Sequence, residues 1–152
     1  MLDSLALIIH IAVGAVFGVT IVLMQTTVGP AMARIPAGGP KSQAAAIIQG
    51  RARLAMDIAI IIQTATAVYL AVTRWGMIGQ SPLLMTKVTF GIMALAAANL
   101  LHFYWRGKKA RLKAAGRTEE FEALSSFTLK MEKIPLVTAP VTLILGIAWG
   151  HL

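Results

Sequence analysis

The sequence predicts an all-α protein: an integral membrane four-helix bundle of up-down-up-down topology, forming a single transmembrane domain over residues 1–152, with helical extensions on the cytoplasmic side. Three observations predict it. Four strongly apolar stretches occupy 5–24, 54–72, 84–104 and 134–151, separated by polar connections. At ~1.5 Å rise per residue each is about long enough to cross a ~30 Å hydrocarbon layer as a helix. The composition agrees, being 57% hydrophobic and 13% charged, where soluble domains carry roughly a quarter charged residues. Finally, the basic residues gather in two of the three connections.

The first stretch lacks a basic leading segment, carries Asp3 and has a longer apolar run than a signal peptide, so it reads as a span. Between it and the second stretch lie Arg34, Lys41, Arg51 and Arg53. Pro30, Pro36 and Gly38-Gly39-Pro40 break the chain there, and Ser42 is placed to cap a helix running from Gln43 into the second span. The short connection after that span has Arg74 as its one basic residue, beside Trp75, an interface marker. Ser81-Pro82 reads as a cap followed by proline at the first helical position, so the third helix starts there. It continues past Tyr104 and Trp105 until Gly116 ends it.

Thr118 reads as the cap of the next helix, with Glu119 and Glu120 in its first turn and Phe121, Leu124, Thr128 and Met131 at helical spacing. Pro135 and Pro140 remove backbone donors and predict a kink or break as the fourth span begins. The third connection holds Arg106, Lys108, Lys109, Arg111, Lys113, Arg117, Lys130 and Lys133. The positive-inside rule then puts both long connections in the cytoplasm and both termini outside. This face also accounts for the net charge of +8 without nucleic acid, since juxtamembrane basic segments attract anionic lipid headgroups.

Chemistry inside the spans rests on few residues. His10 lies five residues into the first span, and an ionisable group at that depth faces the bundle interior with a partner or a function. Gly14 and Gly18 follow at four-residue intervals on the same stripe. Two readings stand: an imidazole above a bare surface on which a flat macrocycle could lie, or a small-residue packing seam with His10 bonded to a neighbouring helix. Lys87, five residues after Pro82, sits at matching depth and either faces His10 or snorkels outward. Asp57, Asn99 and His102 form a second polar set near the cytoplasmic ends, a proton path or water-reached interfacial residues. His151 ends the last span, and Gly146 with Gly150 reads as packing. With no cysteine in the chain, disulfides, thiol catalysis and Cys-ligated metals are excluded. The eight methionines are scattered, so Met77 and Met85 read as apolar filling.

Arg51-Ala52-Arg53-Leu54, Ala67-Val68-Tyr69-Leu70, Trp75 and Leu83-Leu84-Met85-Thr86-Lys87-Val88 resemble the core of copper resistance protein D-like membrane proteins. The same pattern is similar to the HemJ-type protoporphyrinogen oxidases, four-helix membrane proteins grouped with them. The likeness covers about the first two-thirds of the chain. Phe17 stands where a tryptophan is common, and Ala67 or Ala71 where a glycine is expected. The resemblance implies a bacterial inner-membrane protein binding haem b, with His10 as axial ligand to the iron and Lys87 as second ligand or propionate partner. It also implies redox chemistry of the protoporphyrinogen-oxidising type. The alternative is a cofactor-free accessory subunit in a homo-oligomer or larger membrane complex, and the third reading is copper uptake.

Overall fold

A computed structural model describes residues 2–36 and 38–150, with only the backbone described at Trp149 and Gly150. Every regular element among the described residues is helical: α1 Leu2–Ala33, α2 Pro40–Thr73, α3 Trp75–Gln80, α4 Pro82–Ala114, α5 Thr118–Met131 and α6 Lys133–Gly150. Four helices, Leu2–Ala33, Pro40–Thr73, Pro82–Ala114 and Thr118–Ala148, are long and apolar enough to cross a membrane by length and composition. Only 11 to 17% of their most apolar 18-residue windows is buried. Leu5, Ile8, Val16, Ile61, Val68, Ile92, Val137 and Ile144 all point outward, an arrangement that water penalises and hydrocarbon does not.

The chain groups into two compact units, Met1–Thr73 and Arg74–Leu152, although the sequence reading treats it as one. In the first, α1 and α2 run antiparallel, since Asp3 meets Tyr69 while His10 meets Thr66 and Gln63. Phe17, Gly18 and Ile21 from α1 are buried, as are Met56, Ile60, Gln63 and Leu70 from α2. In the second, α4 and α6 also run antiparallel. A Cβ added to Gly91 would meet Thr142, and one added to Gly146 would meet Lys87. Ala94, Ala97 and Ala98 bury the α4 side of this unit, small residues that let helix backbones approach.

Several expected boundaries move. Pro30 does not end α1; the helix widens into a π-helical turn at Met24–Val28 and carries the proline in the next turn. The wider turn admits a residue lacking the N–H and bearing a ring that clashes with a normal turn. Gly29 donates to Met24 O at its end, and a Cβ there would lie 2.5 Å from that oxygen. Ser42 does not cap α2. Its hydroxyl donates to Gly39 O at 2.7 Å, and the helix starts at Pro40, whose missing N–H costs nothing in the first turn.

Ser81 does cap α4, its Oγ accepting from Leu84 N at 3.3 Å. That helix passes Tyr104 and Trp105 through a second π-helical stretch, Leu100–Trp105. It closes at Gly116, where φ is +68 and Arg117 N bonds back to Leu112 O, a left-handed terminus that favours glycine. Thr118 is the first residue of α5 rather than its cap, with no side-chain cap present. Glu120 instead pairs with Arg117. The chain breaks at Glu132, just ahead of Pro135, while Pro140 is carried inside α6.

Candidate functional site: a polar cluster between the first two helices

Polar side chains inside an apolar helix pair must find partners in each other, because leaving a buried donor or acceptor unmatched costs ~1–3 kcal/mol. In the first unit they do so in one cluster. His10, half-buried on α1, has Nδ1 3.0 Å from Thr66 Oγ1 and Nε2 3.2 Å from Gln63 Nε2. With the Gln63 amide nitrogen, which can only donate, toward the ring, His10 Nε2 accepts and the hydrogen of the neutral ring sits on Nδ1. Thr66 completes the assignment. Its own hydrogen goes to Ile62 O at 2.9 Å, leaving its oxygen to accept from Nδ1.

Gln63 is 8% exposed, and its Oε1 is buried with no hydrogen-bond partner. The amide lies against Gly14: a Cβ on that glycine would come 2.9 Å from Gln63 Nε2 and 3.5 Å from Cδ. Gly14 therefore makes room for the amide that reaches His10. Gly18 is buried, yet a Cβ there would meet nothing within 4 Å. Toward the Leu2 and Thr73 end of the pair, Tyr69 donates to Asp3 Oδ1 at 2.6 Å. Gln63, Thr66 and Tyr69 thus form a polar stripe at three-residue spacing on α2, each answered by a residue of α1.

Lys87 belongs to the second unit and lies along α6. Its Nζ is 3.0 Å and its Cε 3.2 Å from where a Cβ of Gly146 would sit, so Gly146 is the groove in which this long side chain rests. Asn99 donates to Leu95 O of its own helix at 2.8 Å. His102 sits within the π-helical stretch of α4, and Asp57 is half-buried on α2 in the first unit. His151 lies outside the described residues. Met77 and Met85 are exposed at 47% and 44%. Among the described residues no three of His, Cys, Asp and Glu gather as metal ligands.

Haem b on His10 needs two things of this site: the Nε2 lone pair, and a bare surface over Gly14 and Gly18 for the macrocycle. The donor chemistry is half met. Thr66 holds Nδ1, as a second residue does for a metal-bound histidine, and Nε2 carries the lone pair. The surface is not met, because the Gln63 amide stands at Nε2 and is seated on Gly14. As arranged, these residues do not accommodate the group.

His10, Gly14 and Lys87 stand out in the sequence as candidates, whereas Gln63 and Thr66 do not. Their signal is present: a glutamine and a threonine three apart inside an apolar run, on the face later shared by Tyr69. Comparisons with protein-family models, with curated proteins and with solved structures find no match for this chain.

Proposed function

We propose that the chain is a multi-pass protein of the bacterial inner membrane, with both termini outside, serving as a cofactor-free subunit of a larger membrane assembly. One observation carries this reading: both ring nitrogens of the intramembrane histidine are engaged by α2. His10 is then an interhelical clasp, and Gly14 and Gly146 are seats for side chains from the neighbouring helix. A shallow apolar groove on the first unit, bounded by Ala12, Val16, Ala55, Ile58 and Ala59, supports assembly, since small residues favour close helix approach in lipid. Arg106, Lys108, Arg111 and Lys113 are exposed at the end of α4. They suit anionic headgroups, at ~1 kcal/mol per basic residue near the surface.

A second reading keeps the haem b protein implied by the HemJ-type and copper resistance protein D-like resemblance. The observation that favours it is the Thr66 bond to Nδ1, which leaves Nε2 as the donor atom; Gln63 must then leave Gly14 for the group to bind. In that reading His10 would hold the iron, and the apolar helices would keep water away.

A visible spectrum of the detergent-purified protein after haem supplementation separates the two. The first reading expects no Soret band, a His10→Ala variant that is less stable yet still assembles, and migration with other subunits on native gels. A Soret band that His10→Ala abolishes refutes it and establishes the second.

A further inference from the structure

The Gln63 amide is held by one bond to His10 and leaves its other end unsatisfied. Turning the amide over exchanges an unmatched acceptor for an unmatched donor, so neither orientation is strongly preferred by the rest of the cavity. What distinguishes them is the state of the imidazole. With NH₂ toward the ring, Nε2 must be an acceptor; with Oε1 toward the ring, Nε2 must carry a hydrogen. Thr66 Oγ1, whose hydrogen is used by Ile62 O, accepts from Nδ1 in both cases.

From this we propose that the His10, Thr66 and Gln63 cluster is a proton-binding site inside the first helix pair, with the Gln63 amide turning over when the proton binds. The proton adds to the Nε2 lone pair, the ring gains one positive charge, and Oε1 turns in to accept from the new N–H. Both ring hydrogens then have acceptors, which a histidine buried among aliphatic side chains would lack. The other titratable groups on the two packed helices are Tyr69 and Asp3 on one side, and Asp57, Arg53, Arg51 and Lys41 on the other. At ~1.5 Å per residue, Tyr69 is roughly one turn from Thr66 toward the Leu2 and Thr73 end of the pair, and Asp57 roughly two turns from Gln63 the opposite way. Asp3 lies at the Tyr69 end, bonded to its hydroxyl. The inference rests on Nε2 holding no iron, which the visible spectrum tests separately.

The test is ¹⁵N NMR of the full chain in bilayers, labelled at histidine and at the glutamine side chain. His10 is assigned by its loss in His10→Ala, in preparations whose visible spectrum is blank. The expected result is a ring protonated only at Nδ1 in alkaline buffer and at both nitrogens in acid. The Gln63 amide resonances should shift over the same titration. Gln63→Leu lowers the proton affinity of His10 roughly tenfold, the worth of one hydrogen bond to a charged group, and Gln63→Glu raises it. A neutral ring protonated at Nε2, a Gln63 amide that stays still while His10 titrates, or an affinity unchanged in Gln63→Leu overturns the proposal. Should the variants fail to fold, the wild-type amide shift decides alone.

Discussion

Gly14→Ala tests the packing of the first helix pair. The new methyl would lie 2.9 Å from Gln63 Nε2, closer than van der Waals contact allows. The atom in the way is the end of a flexible side chain, so the amide yields and the backbone stays. The amide then loses its bond to His10 Nε2. An interhelical hydrogen bond in a membrane protein averages ~0.6 kcal/mol and reaches ~1.7.

Against this stands the ~1 kcal/mol by which alanine outranks glycine in a helix. Gly18→Ala supplies the same propensity gain on the same stripe and meets nothing within 4 Å. The difference between the two variants removes that term and isolates the Gln63 contact, at roughly 0.6–1.7 kcal/mol in favour of Gly18→Ala. The assay is reversible unfolding of both variants in the same micelles, read as a midpoint shift. Equal stabilities would refute the reasoning.

The remaining tests address single contacts. Gly146→Ala displaces the Lys87 ammonium, which lies 3.0 Å from the new Cβ, and should raise the rate at which a small amine-selective reagent modifies Lys87; an unchanged rate means the lysine does not rest there. Ser81→Ala removes the acceptor for Leu84 N and should cost ~1 kcal/mol, read as faster amide exchange confined to the first turn of α4. Gly116→Ala forces a side chain into φ +68 and should destabilise the protein by ~1–2 kcal/mol, whereas Gly107, at an ordinary helical position, should tolerate alanine. Thr128→Val removes the buried hydroxyl that accepts from Lys109 Nζ at 3.1 Å and should cost ~1 kcal/mol, measured by thermal unfolding.

The helices were legible because length, apolarity and punctuation act locally. Ser81-Pro82 starts α4 and Gly116 ends it as their chemistry requires, since a hydroxyl acceptor and a left-handed glycine act within one turn of the backbone. Pro30, Ser42 and Thr118 depart from the expected boundaries for reasons that are also local. A π-helical turn accommodates Pro30, and Ser42 and Thr118 each make an alternative local bond that their residue types equally allow. The candidate site was legible by half. An imidazole in an apolar run declares itself, but which residues answer it depends on the register of α2 against α1.

What the sequence determined by itself was the helical class, the four long apolar stretches, the placement of basic residues between them, and His10 as a group that needs a partner. All of these are read from composition and spacing along the chain, without knowing how one helix turns against another. Only the tertiary structure decided that the partners are Thr66 and Gln63, that Gly14 is filled by an amide, and that Lys87 rests on Gly146. Those contacts depend on the rotation of each helix about its axis, and that rotation is set by the summed packing of two helices against each other.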